Sequence, residues 1–399
     1  MAETAGAGAS SVPRLLVVHD RADRTPETVG LVELVRALVA TGERDVRVLL
    51  MAGGPLLDEI ESLAPTIVVA ALDPRSPDGL RERLAFALRR RKAGFRIRAR
   101  RLGLDEWHAG DAVYLHTVLG VQVLRYLPDD IPTVLCRLAE DVHPLDHPLA
   151  AADVALLLRR VDHFLPVTSV LRDELVEDRA VGAERVHKVP ELFVPADERL
   201  PDPAPERERL RAELGIDPDA LVVGSFGTSD ADAPDLGVLL WSMLAKRAAG
   251  RPVELLWGSA ETEAGFWMGH DLRSTGLEAG THAVAADQDL GPYLGLCDVL
   301  VLLTRVDDYP FAYLERAASG VPVLCFEGNG LADLARLGDD RNVAPYLDVV
   351  AVAEQVTRLL AADDTLSSRR SAMAAAAGSV HGPGPVARRL LDRLDEAGP

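Results

Sequence analysis

Asp307 and Glu315, two carboxylates separated by seven residues, are the side chains whose types and spacing point most directly to chemistry. A run rich in Val and Leu, Cys297 to Leu303, reads as a strand that delivers the chain to a polar loop carrying Arg305, Asp307 and Asp308, and the loop enters a helix near Pro310. In open parallel α/β sheets, ligands sit at the carboxyl ends of the strands, where loops and helix N-termini converge. Asp307 therefore stands at the usual address for a ligand contact. Glu315 lies two turns further on, where a carboxylate can accept two neighbouring hydroxyls. The plainer alternative is that both acids are solvated surface charges. Arg305 is permanently charged and forks onto phosphate oxygens, or it pairs with Asp307 or Asp308 and stiffens the loop.

A second candidate follows another strand-like run. Gly224-Ser225-Phe226-Gly227-Thr228 is succeeded by Asp235-Leu236-Gly237 leading into a helix. Glycines after a strand let backbone N–H groups approach a phosphate, and a helix N-terminus adds a partial positive charge. Gly224, Gly227 and Thr228 are thus candidate phosphate contacts. No metal is expected. Asp230-Ala231-Asp232 is one short acidic pair in an acidic chain, and the prolines of His143-Pro144-Leu145-Asp146-His147 oppose the helix that would align two imidazoles.

The elements that must position these residues alternate short apolar runs with helical patterns, the mark of doubly wound parallel sheets. Arg14 to His19, Val46 to Met51, Thr66 to Ala71, Ala112 to His116, Thr133 to Cys136 and His163 to Pro166 read as strands, with helices such as Val29 to Thr41 and Leu56 to Leu63 between them. A proline-rich, charged stretch, Pro195 to Arg209, breaks the pattern and reads as an interdomain linker. The alternation restarts with Leu221 to Gly224, Val253 to Trp257, His282 to Ala285, Val299 to Leu303, Val321 to Phe326 and Val343 to Pro345. This predicts two Rossmann-like domains, residues 1–197 and 210–380, and a terminal helix within 381–399 after Gly382-Pro383-Gly384-Pro385.

The segment Asp307-Asp308-Tyr309-Pro310-Phe311-Ala312-Tyr313-Leu314-Glu315-Arg316-Ala317-Ala318-Ser319-Gly320-Val321-Pro322-Val323 resembles the E-x7-E signature of retaining glycosyltransferases with the GT-B fold, the group classed as family 4. Phe164-Leu165-Pro166-Val167-Thr168-Ser169 and Val343-Ala344-Pro345-Tyr346-Leu347-Asp348 extend the likeness, which covers nearly the whole chain. The resemblance implies two domains facing across a cleft, a nucleotide-diphosphate sugar as donor and no required cofactor. It also implies that the last helix crosses back to the first domain, with Val386 to Glu396 as the candidate. In its terms Glu315 holds the nucleotide ribose, Asp307 the donor-sugar hydroxyls, and the Gly224 to Thr228 loop with Arg305 faces the diphosphate.

Three departures stand beside the match. Asp232-Ala233-Pro234 occupies the place of the family's Arg-Lys-Gly, and His19 to Pro26 replaces its Gly-Gly turn, leaving Arg21 or Arg24 to supply charge there. Where the family places a histidine after Ile131-Pro132, this chain reads Arg137-Leu138-Ala139-Glu140; the nearest imidazole, His143, is kept as a candidate beside the donor sugar, or as an ordinary surface histidine.

Composition limits the remaining classes. A chain of 399 residues with 48% hydrophobic content is long enough for two cores. A net charge of −19 argues against general nucleic-acid binding. The apolar runs fall short of a bilayer span, and the small, polar start, Met1 to Val12, does not read as a secretory signal. A cytoplasmic protein is expected. Ten basic residues between Arg81 and Arg101, interleaved with Leu84, Phe86, Leu88, Phe95 and Ile97, form a segment suited to anionic lipid, to an anionic acceptor, or to a solvated helix face. It admits peripheral contact with the inner membrane face. Cys136, Cys297 and Cys325 fit buried thiols.

Two functions follow. One is sugar transfer from a nucleotide-diphosphate donor to a small-molecule, glycan or lipid-linked acceptor hydroxyl. The other is a non-catalytic relative with a degenerate donor site, acting as a partner or regulatory subunit.

Overall fold

The computed structural model describes residues 12–69, 107–129, 131–139, 149–190, 203–226, 233–247, 251–258, 263–284, 290–305, 311–361 and 363–396. Two six-stranded sheets organise them. The first holds β1 (Arg14–Arg21), β2 (Asp45–Ala52), β3 (Thr66–Val68), β4 (Ala112–Leu115), β5 (Thr133–Leu138) and β6 (His163–Pro166) in the order β3-β2-β1-β4-β5-β6. The second holds β7 (Leu221–Ser225), β8 (Val253–Trp257), β9 (Thr281–Ala283), β10 (Val299–Leu302), β11 (Val323–Phe326) and β12 (Val343–Ala344) in the order β12-β11-β10-β7-β8-β9. All neighbouring pairs are parallel. Read from either edge, both orders are the doubly wound one, with the reversal between β1 and β4 and between β7 and β10.

Alternation along each strand feeds two cores. In the first unit Leu15 and Val17 join Leu31, Val35 and Leu38 of the helix Pro26–Thr41, while Leu16 and Val18 join Val121, Leu124 and Leu157 on the other face. In the second, Val299 and Val301 pack with Leu240 and Trp241, whereas Leu300 and Leu302 pack with Tyr313 and Leu314. The helix expected from Val29 begins three residues earlier, at Pro26. Thr25 caps it, proline is pre-set for its first turn, and Gly42 closes it at φ 68°.

The helix Pro383–Glu396 belongs to the first unit, which otherwise runs to Leu192 apart from Thr168–Val170. Its Ala387, Leu390, Leu391 and Leu394 enter the core of helix Pro26–Thr41. Arg388 meets Glu43 at 2.7 Å, and Arg44 meets Asp395 at 2.6 Å.

The supposed linker is corrected in part. Residues 195–202 lie outside the described residues, but Pro203–Leu214 is a helix of the second unit, with Leu210 buried in its core and Arg211 donating to the carbonyls of Asp217 and Ala220, both at 2.8 Å. Its charged sequence hid the anchors Leu210 and Leu214. The basic segment 81–101 lies outside the described residues. Among those described, no helix is long and apolar enough to cross a membrane, and all three cysteines are buried and unbridged.

Leu391→Ala should cost about 2–5 kcal/mol in urea unfolding, since its buried side chain leaves a cavity under the terminal helix. A change within about 0.5 kcal/mol would show that the helix contributes no packing to the first unit.

Candidate functional site

The order reversals put loops of two sheets at strand carboxyl ends, and polar residues collect at both places. In the second unit, β10 ends into Thr304 and Arg305. Buried Thr304 accepts from Asn329 Nδ2 at 3.1 Å, and Asn329 Oδ1 accepts from the Leu331 amide at 2.9 Å, which ties the ends of β10 and β11 together. Arg305 donates through Nη1 and Nη2 to the two oxygens of Asp235 at 3.0 and 2.6 Å. Asp235 stands in the first turn of the helix Pro234–Arg247, which follows β7. The hydrogen bond from Arg305 holds the Asp235 carboxyl below its ordinary range, and the same pairing raises the guanidinium. The Arg305 carbonyl in turn accepts from the Tyr346 hydroxyl at 3.0 Å.

Glu315 is partly buried, in the second turn of the helix Phe311–Ala318. Tyr313, Leu314 and Ala317 seat that helix in the core, and Gly320, at φ 88°, ends it as its amide reaches the Ala317 carbonyl at 2.9 Å. The Tyr313 hydroxyl accepts from the Phe226 amide at 2.9 Å and lies 3.2 Å from the carbonyls of Phe226 and Val301, toward which it donates. One buried hydroxyl thus joins the ends of β7 and β10 to the helix of Glu315.

Gly224 needs a different account from the one its sequence suggests. It lies within β7, where a Cβ would come within 2.4 Å of Cys297 Sγ and 2.8 Å of Leu300 Cδ2. Close packing against Cys297 and Leu300 is by itself sufficient reason for the glycine. Gly227, Thr228, Asp307 and His143 lie outside the described residues.

The first unit carries a cluster that motif reading missed. His19 at the end of β1, His116 after β4, Arg137 in β5 and Thr28 in the helix Pro26–Thr41 are all buried. His19 and His116 stand edge to face at 5.3 Å. Arg137 Nη1 donates to Glu27 Oε1 and to the His116 carbonyl, both at 3.0 Å. The Thr28 hydroxyl donates to Asp23 Oδ1 at 2.9 Å, so it receives the Nε2 hydrogen of His19 across 3.1 Å, which leaves Nδ1 of His19 as an acceptor. Nδ1 of His19 and Oγ1 of Thr117 are buried with no hydrogen-bond partner among the described residues. Burial pushes the His19 pKa down, and burial plus the Arg137 charge pushes that of His116 down further. Both are therefore neutral imidazoles near neutral pH. The signal available in the sequence was positional: His19, His116 and Arg137 each sit at or just beyond the end of an apolar run, the same rule that drew attention to Asp307. Arg137 opens the stretch Arg137-Leu138-Ala139-Glu140, which stands in the region where the resemblance leads one to expect a histidine.

Residues 217–362, all within the second unit, match the family described as Glycosyl transferases group 1. No curated protein matches the chain by sequence. Among solved structures, Anabaena Alr3699/HepE in complex with UDP and glucose is similar over 96% of this chain and 100% of that one, at 15% identity and a TM-score of 0.63. A glycosyltransferase from Rickettsia africae ESF-5 is similar over 96% and 98%, at 12% identity and 0.63. Sucrose-phosphate synthase from Thermosynechococcus elongatus is similar over 96% and 98%, at 16% identity and 0.59.

The chain has the GT-B fold. Its two Rossmann-like units are those of glycosyltransferase structures, and the second carries the matched group 1 region.

Gly224→Ala should destabilise by about 1–3 kcal/mol in urea unfolding, because the added methyl must displace Cys297 and Leu300; a neutral result would return Gly224 to a role in the loop. Stability should also fall on acidification below about 6.5, the ordinary imidazole value. Because the folded pKa values of His19 and His116 are lowered, the unfolded chain binds more protons below that pH. The imidazole contribution is complete above it and is lost progressively toward the lowered values, at up to about 1.4 kcal/mol per pH unit for each group. His163 and His187, 3.0 Å apart and also lowered by burial, act in the same direction. Urea midpoints that do not move between about pH 7.5 and 5.5 would contradict the buried, neutral assignment.

Proposed function

We propose that this protein transfers a hexose-type sugar from a nucleotide-diphosphate donor to an acceptor hydroxyl, with retention at the anomeric carbon. The observation that carries the reading is the coincidence of two independent features. The stretch matching glycosyl transferases group 1 is also the stretch whose strand ends gather Arg305, Asp235 and the helix of Glu315. The Anabaena relative's complex with UDP and glucose supports a donor of this class.

In this reading Glu315 accepts the ribose hydroxyls and Asp307 the hydroxyls of the donor sugar. Arg305, Gly227 and Thr228 face the diphosphate, and His143 stands beside the sugar. As the glycosidic bond breaks, negative charge builds on the departing phosphate, so placing cationic and N–H donors there is the main electrostatic task. The first unit offers the acceptor side. The lone pair of His19 Nδ1 and the hydroxyl of Thr117 are polar, buried and suited to an acceptor's hydroxyls. The acceptor is a small molecule, a glycan or a lipid-linked glycan.

One observation favours the second reading, a degenerate donor site in a partner or regulatory subunit: Asp235 offsets the charge of Arg305. Isothermal titration with UDP, GDP, dTDP and ADP, run on the parent and on Glu315→Ala, decides between them. Micromolar binding of one nucleotide, lost in the variant, is the expected outcome. Absence of binding by any of the four to the folded parent would replace sugar transfer with the non-catalytic scaffold.

A further inference from the structure

We infer that Asp235 is a built-in competitor of the donor diphosphate, an internal anion that occupies the guanidinium of Arg305 until a nucleotide displaces it. The inference rests on the donor-site reading above and adds the regulation of that site.

Its first support is geometric. The pair is bidentate, with the two Nη atoms of Arg305 directed at the two carboxylate oxygens of Asp235 at 3.0 and 2.6 Å. That fork is the same face a guanidinium offers to two phosphate oxygens. A carboxylate and a diphosphate therefore compete for one set of donors.

The second support is where the pair sits. Arg305 follows β10 and Asp235 opens the helix after β7, so they straddle the order reversal of the second sheet, where ligands of such sheets bind. At this helix start a bound anion would gain from the partial positive charge of the helix. Asp235 sets a full negative charge there instead.

The third is energetic. The side chains of Arg305 and Asp235 are 44% and 58% exposed, so the pair is solvated and belongs to the weak class of ion pairs. It can open without stranding a buried charge. The Tyr346 hydroxyl holds the Arg305 backbone at 3.0 Å independently of Asp235, so the arginine keeps its place at the strand end when the carboxylate is neutralised. An Asn at position 235 retains a carbonyl oxygen that can still accept one N–H of Arg305. Loss of the charge, with little loss of geometry, is what that substitution delivers.

The test uses the full chain. UDP, GDP, dTDP and ADP are titrated into the parent, Asp235→Asn, Asp235→Ser, Arg305→Gln and the double variant Asp235→Asn/Arg305→Gln, each checked for an unchanged thermal midpoint. The nucleotide the parent binds should bind Asp235→Asn and Asp235→Ser about five-fold more tightly, less so at high salt. The gain should vanish in the double variant. Unchanged or weaker binding by both Asp235 variants, in a protein whose parent binding is abolished by Glu315→Ala, overturns the competitor role and leaves the donor site standing. A gain that persists without Arg305 also overturns it, because general relief of negative charge would then explain the effect. If none of the nucleotides binds any of the folded proteins, the donor reading falls and the inference falls with it.

Discussion

Covering both faces of a parallel sheet confines chemistry to its ends. In each unit the central strands are buried on both sides: Leu15 to Val18 in one, Val299 to Leu302 in the other. A charged side chain within such a strand would be taken out of water without a partner, at a cost of several kcal/mol. The polar residues that survive stand mostly at strand ends, where loops, helix starts or neighbouring strands can pair or hydrate them. Arg137 shows the rule at its limit. It lies within β5 and is buried, and it is held there by Glu27 and by the His116 carbonyl. The same confinement explains why the elements that carry Glu315, Arg305 and Asp235 converge although they are distant in sequence. The sheet order brings β7 beside β10, so the residue that follows β10 and the helix start that comes after β7 lie side by side.

The fold was legible in the sequence because it depends on repetition. Alternating apolar runs and helical patterns recur often enough that a misjudged strand end does not alter the architecture; β3, read to Ala71, is described only to Val68. Pro203–Leu214 was missed for a specific reason. A helix anchored by Leu210 and Leu214, with Arg211 satisfying carbonyls and charged residues around them, has a composition that imitates a linker. The candidate site was legible only in part. Local spacing identified the helix of Glu315 and the arginine at the end of β10. It could not supply Asp235 as the partner of Arg305, a contact across 70 positions, since nothing in a linear pattern selects one acid among many in a chain this acidic.

Gly224 shows a different ambiguity. A glycine next to a strand end has two physical explanations, backbone approach to an anion and lack of room for a Cβ, and sequence alone cannot separate them. The distances to Cys297 and Leu300 show that the second applies here. The buried thiol of Cys297, with its pKa pushed up by desolvation, is then a packing element and no nucleophile. Glycine and cysteine together set the spacing of β7 and β10, and through it the position of Phe226, whose amide and carbonyl both meet Tyr313.

The two polar clusters share a topological address but differ in how they can respond to a ligand. In the first unit the pairing is interior. Arg137 is buried between neutral imidazoles and the carboxylate of Glu27, and removing that carboxylate would leave a cation with little water to solvate it. Such a cluster is preorganised: it presents fixed acceptors and donors and is poorly suited to exchanging partners. In the second unit, Arg305 and Asp235 meet in solvent, where an ion pair contributes about 0–1 kcal/mol. A ligand carrying two negative charges can displace one carboxylate from that guanidinium at little cost. Rigidity in one unit and exchange in the other suit the sugar transfer proposed above, in which a neutral hydroxyl must be oriented and a charged leaving group must be held and then released.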